Sequence, residues 1–133
     1  MAIRGVRGAN SIPENTPEGI YVATQDLLKG MIAANQGLAP EDVASIIFTT
    51  TPQIDAAFPA KAARTMTGWE HVPLLCSQEI TVPGSLKNVV RILLHWNTEL
   101  PQKEMRHIYL GEAAHLRPDL TMQSGSRTLQ ADL

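Results

Sequence analysis

The chain has 133 residues, 44% hydrophobic and 18% charged, with a formal charge of −2 and an isoelectric point near 6.0. That length is one domain by the ordinary size prior, and the composition excludes a disordered or collagen-like chain. The near-neutral balance and the lack of any Lys/Arg run exclude bulk attraction to nucleic acid, and no run of about 18 apolar residues offers a membrane span.

In chain order, Ala2 to Ala9 reads as a first strand punctuated by Gly5 and Gly8, where a backbone or ligand can approach closely. Thr16 then caps a helix with Pro17 at its first position, Glu18 in its first turn, and Ile20, Ala23, Leu27, Met31 and Ala34 at helical spacing. Gly37, after Asn35, stops it. Ala44 to Thr51 is rich in β-branched residues and predicts a buried strand that Pro52 closes. Pro59 opens a second helix, PAKAARTM, which sets Lys61 and Arg64 three residues apart on one face before Gly68 ends it.

His71 to Val82 has strand composition, and a turn at Pro83 to Ser85 leads through Leu86 and Lys87 into a long strand carrying Arg91. PQKE makes a short turn, Arg106 to Leu110 a last strand, and GEAAHLRPDL a helical turn running into an irregular end. A polar, mobile tail is expected over residues 121–133, which leaves residues 1–120 as the single domain. Strand, helix, strand, helix and then several strands predict an α+β architecture, a mixed β-sheet with helices packed on one face.

The arginines carry the functional signal. Arg91 sits within the apolar run KNVVRILLHW. An unpaired guanidinium is costly to bury, so this position implies an acidic side chain, a subunit boundary or an anionic ligand. Arg7, Arg64 and Arg117 repeat the pattern at other element ends, with Arg4 less informative, and together they suit a small polyanion. The motifs of common metal, phosphate-loop and nucleophile chemistry find no anchor: there is no HExxH, paired CxxC, P-loop, GxSxG or EF-hand loop. His71, His95, His107 and His115 lack metal-ligand spacing and read as packing or surface residues. The single cysteine, Cys76, follows Pro73, Leu74 and Leu75 in an apolar strand; it reads as a half-buried thiol, with a nucleophile as the alternative. It permits no disulfide within the chain, and MAIRGVRG lacks the apolar stretch of a signal peptide, so a cytoplasmic protein is expected.

Five segments, RGVRGAN, FPAKAARTMTGW, VPLLCSQE, PGSLKNVVRILLHWNT and RHIYLGEAAHLRPDL, run in that order over nearly the whole chain. Jointly they resemble the small monofunctional chorismate mutases of the homotrimeric class. The resemblance implies the Bacillus chorismate mutase-like fold, a homotrimer with a barrel-like centre, and active sites in clefts between adjacent subunits. The implied reaction is the Claisen rearrangement of chorismate to prephenate in aromatic amino acid biosynthesis. That step needs no nucleophile, metal or organic cofactor, so none is expected. Chorismate and further copies of the chain are the expected partners, with no nucleic acid and no membrane.

The resemblance also implies roles. Arg91 matches a cation that donates to the ether oxygen and a carboxylate; Arg7 matches a clamp for the enolpyruvyl carboxylate, with Tyr109 as its hydroxyl partner. Glu79 matches the acceptor of the ring hydroxyl, or the ion-pair partner of Arg91, or both, and Cys76 lies near the same hydroxyl. From the neighbouring subunit, Phe58 and Ala60 form an apolar wall, Lys61 adds positive potential and Arg64 stands near the ring carboxylate. Read without the family, Lys61 and Arg64 serve equally well as a solvated helix face. Leu74 and Leu75 line the pocket, and Leu116 and Arg117 cover it. Two alternatives share the theme of an arginine holding a carboxylate: a trimeric enamine or imine deaminase, whose motifs are not those read here, and a non-catalytic binder of an aromatic-pathway acid.

Overall fold

In the computed structural model, which describes residues 1–115, alternation along the strands separates a helix-covered face of one sheet from an arginine-bearing face. Five strands form it: β1 (Ala2–Ser11), β2 (Val43–Thr50), β3 (Leu74–Gln78), β4 (Val89–Thr98) and β5 (Ile108–Tyr109). Their order is β3-β2-β4-β1-β5. β4 runs antiparallel to both β1 and β2, while β3 is parallel to β2 and β5 parallel to β1, so the sheet is mixed as expected. Two helices, α1 (Pro17–Ala34) and α2 (Ala60–Arg64), pack on one side.

Period two decides which residues face those helices. Val6 and Gly8 of β1, Ile46 and Phe48 of β2, and Val90, Ile92, Leu94 and Trp96 of β4 turn toward α1, whose buried stripe is Ile20, Ala23, Leu27, Leu28 and Met31. Each large side chain buried there contributes about 1.5–3 kcal/mol. Gly8 sets how closely α1 approaches: a Cβ added at this position would lie 2.7 Å from Met31 Sδ and 2.8 Å from Leu27 Cδ1.

The caps fall where the sequence puts them. Thr16 Oγ1 accepts the Gly19 N–H at 3.0 Å, and Pro17 occupies the first turn. At the other end the buried Asn35 donates from Nδ2 to Met31 O and Arg106 O and accepts the Arg106 N–H, fastening the helix end to the segment before β5. α2 is shorter than its sequence suggests and ends at Thr65, whose hydroxyl donates to the Lys61 carbonyl. Its buried residues are Ala60, Ala62 and Ala63, small enough for the helix to lie against α1, where Gln25 Nε2 donates to Ala62 O.

Two expected strands are trimmed, each by what the neighbouring strand's edge offers it. Of the stretch His71 to Val82, only Leu74–Gln78 is strand. Its one partner, β2, ends at Thr50, and the Glu79 N–H makes the last bond, to Thr50 O at 2.9 Å. Arg106 to Leu110 reduces to Ile108–Tyr109, because side chains supply the hydrogen bonds along the rest of that edge of β1. The Gln102 amide exchanges two hydrogen bonds with the Gly5 backbone, and His107 Nδ1 accepts the Arg7 N–H at 3.0 Å. Leu116, Arg117 and the tail at residues 121–133 lie outside the described residues.

Candidate active site

On the sheet face turned away from the helices, the central strands bring three of the expected site residues together. Arg91 of β4 stands opposite Ala9 of β1 on one side and Thr49 of β2 on the other; Arg7 lies two residues before Ala9 on the same face. Such diagonal neighbours are within reach of long side chains. Glu79, just past β3, turns its carboxylate back so that Oε2 lies 2.9 Å from Arg91 Nε and accepts a 2.7 Å hydrogen bond from Thr49 Oγ1. The acid implied by the half-buried arginine is therefore Glu79.

The pair does not use up the guanidinium. Arg91 Nε is buried and close to the carboxylate, but its N–H makes no aligned hydrogen bond among the described residues. The contact is electrostatic, and the rest of the fork remains available to a planar anion. Arg91 keeps 30% of its side-chain surface exposed and Glu79 17%, so both groups stay open to a ligand. Among the described residues no carboxylate pairs with Arg7, Lys61 or Arg64.

Tyr109 joins this face from β5, in register with Ala9, so Ala9 separates it from Arg91. The ring is 1% exposed and packs in a small second core with Ala9, Val89 and Ala113. It is a buried core residue on the arginine-bearing face.

Of the remaining expected residues within the described chain, all but Leu75 lie on the opposite side. Cys76 is in register with Phe48, which places it on the helix-covered face, while Glu79 serves the other face. Cys76 borders a cleft of about 590 Å³ with Phe58, Pro59, Tyr21, Asp55 and Gln78. Burial pushes its thiol up from the ordinary value, opposed by the Ala60 backbone N–H and by Arg64. It is a neutral, half-buried thiol, not an activated nucleophile. Lys61 and Arg64 project from the exposed side of α2, with Lys61 Nζ 5.5 Å from the centre of the Tyr21 ring. Phe58 is 75% exposed at the cleft mouth, Ala60 is buried, and Leu74 packs half-buried against the core. Leu75, one position off in the alternation, is 63% exposed on the outermost strand.

Two supporting residues, Thr49 and Gln102, were not singled out from the sequence, and a third, His107, was read only as a packing or surface residue. Thr49 was hidden within FTTT, although its place opposite an arginine follows once β2 and β4 are paired. Gln102 and His107, which brace the Gly5 to Arg7 backbone, act across about a hundred residues and left no local signal.

The family model for chorismate mutase type I matches residues 3–120. A chorismate mutase AroH from Thermus thermophilus is 51% identical over 118 residues, 89% of this chain and 96% of that protein. The chorismate mutase AroH of Bacillus subtilis is 43% identical over 122 residues, 92% and 95% of the two chains. A solved chorismate mutase from Clostridium thermocellum superposes with a TM-score of 0.78 at 48% identity, covering 82% of this chain and 96% of its own. This chain belongs to the chorismate mutase type I family, and its mixed sheet with helices on one face is the Bacillus-type fold of that family.

Proposed function

We infer that the protein is a chorismate mutase, an isomerase converting chorismate to prephenate for aromatic amino acid biosynthesis. The observation that carries this reading is the grouping of Arg7, Arg91 and Glu79 on one sheet face, with arginine N–H groups left over for an anion. The trimeric deaminases considered above are not the family that matches.

The substrate carries two carboxylates, a ring hydroxyl, and an ether oxygen that gains negative charge as the C–O bond breaks and the C–C bond forms. Arg7 clamps the enolpyruvyl carboxylate beside Tyr109, which holds a floppy arm over the ring and converts an unlikely conformer into the bound one. Arg91 donates to the ether oxygen and a carboxylate together, where a preorganised cation stabilises the transition state more than the ground state. Glu79 keeps Arg91 oriented and accepts the ring hydroxyl. The atoms of the breaking C–O bond and of the forming C–C bond all belong to one molecule, so no protein nucleophile takes part.

One chain cannot assemble the whole site. Arg91 and Glu79 lie on one face of the sheet; Cys76, Phe58, Lys61 and Arg64 lie on the other. A small substrate does not span a sheet, so the second group comes from a neighbouring copy: its α2 and β3 supply the apolar wall, Cys76 near the ring hydroxyl, and Arg64 near the ring carboxylate. Leu74, on the helix side, lines that wall, whereas Leu75 lies on the Arg91 face of its own chain; the cover assigned to Leu116 and Arg117 falls outside the described residues. Exposed Ile3, Leu75, Ile80 and Val82 give such a neighbour apolar surface to bury. A homotrimer with one composite site at each boundary satisfies both requirements.

The test is direct. The purified chain, given chorismate, should consume it with saturation kinetics and release prephenate in equal amount. Chorismate persisting at the uncatalysed rate in the presence of folded protein would overturn the reading.

A further inference from the structure

Thr49 stands directly opposite Arg91 in the β2–β4 ladder and opposite Ser77 in the β2–β3 ladder. Its hydroxyl donates to Glu79 Oε2, the oxygen that also faces Arg91 Nε. Glu79 itself lies beyond the end of β3, with its N–H on Thr50 O as the last rung. A glutamate so placed has three torsions to fix, and β-branched Thr49, restricted at its own χ1, is well suited to fix them.

We propose that Thr49 is a positioning residue of the reaction, acting through Glu79; this rests on the chorismate mutase reading above. Anchored at Oε2 by Thr49, the carboxylate meets the guanidinium from its Nε side and leaves Oε1 for the ring hydroxyl. Released from Thr49, Glu79 is free to swing onto Arg91 in a two-pronged, parallel pairing, the geometry this couple ordinarily favours. That pairing takes the N–H groups meant for the ether oxygen. Thr49 thus holds the acid close enough to orient the arginine and prevents it from occupying the arginine fully.

The experiment compares the full-length protein with Thr49→Val and Thr49→Ser, each also combined with Glu79→Ala, by steady-state kinetics on chorismate. Thr49→Val should lower kcat roughly tenfold or more, the scale of losing a hydrogen bond to a charged group, with KM moving much less. Thr49→Ser should restore most of it. With Glu79→Ala already present, Thr49→Val should change kcat less than about twofold, because the group it acts through is gone. Parent-like turnover by Thr49→Val overturns the proposal, as does Thr49→Ser being as poor as Thr49→Val, or an undiminished loss in the Glu79→Ala background. Should Thr49→Val fail to fold, Thr49→Ala against Thr49→Ser makes the same comparison. A parent that leaves chorismate untouched overturns the reading of the reaction, and the proposal with it; an active parent with an indifferent Thr49→Val overturns the proposal alone.

Discussion

Arg91 and Arg64 stand on opposite sides of the same five-stranded sheet. Arg91 belongs to the face that β4 turns away from α1; Arg64 extends from α2 on the helix side, close enough to Cys76 to act on its thiol. If one substrate meets both, it meets them from two copies of the chain.

The role of Arg91 can be separated from simple binding. Arg91→Ala should lose about two to three orders of magnitude in kcat, the usual consequence of removing a preorganised donor to developing oxyanion charge. Arg91→Lys keeps the charge but not the planar fork, so it should retain binding better than turnover. Steady-state kinetics with circular dichroism to verify folding decides the matter: near-normal kcat with only a raised KM would make Arg91 a ground-state clamp.

Gly8→Ala probes the fold beneath the site. The new Cβ would press on Met31 Sδ and Leu27 Cδ1 and stand 3.2 Å from Ile108 O. The side chains can yield, but the backbone oxygen cannot yield easily, so a loss of about 1–3 kcal/mol is expected. Urea unfolding should show a lower midpoint with an unchanged slope. An unchanged midpoint would mean that α1 adjusts without cost.

Cys76 gives a pH signature. Its thiol is raised above the ordinary 9.0 by burial, so the folded chain holds the proton longer than the unfolded one. The stabilisation is complete below the unfolded pKa and is lost as pH rises through the folded pKa; in that alkaline window the unfolded state binds fewer protons and stability falls. Cys76→Ser should flatten that alkaline decline and leave neutral-pH stability little changed, measured as Tm against pH. Equal alkaline slopes in the two proteins would remove Cys76 as the source. At neutral pH, alkylation of Cys76 should run slower than that of an unfolded thiol.

A metal chelator should not affect turnover, because the proposed step uses only positioning and charge. Dialysis against EDTA followed by assay checks it; activity that disappears and returns with a divalent ion would contradict the mechanism.

How much of this was legible in the sequence varies with range. α1 could be read almost to the residue because Thr16, Pro17 and Asn35 are local signals. Strand ends could not, since Gln78 is a limit set by where β2 stops and Ile108 by distant side chains that take over the edge of β1, neither by composition. Arg91 announced itself as a charge in an apolar run, and Glu79 was a candidate partner. The division of the site residues between two faces was not visible, because it depends on β3 being parallel to β2 and one residue out of phase with Glu79. Motif resemblance grouped Cys76 with Glu79; the alternation of β3 separates them within one chain.

Subunit complementation is the most direct test of the composite site. Arg91→Ala and Arg64→Ala proteins, each nearly inactive alone, are mixed under conditions where subunit exchange is verified independently, and chorismate turnover is followed. Hybrids of the proposed trimer would place an intact Arg91 face against an intact α2 at some boundaries, so activity should recover to a substantial fraction of the parent's. Verified exchange with turnover no higher than the sum of the two variants would contradict a site shared between chains.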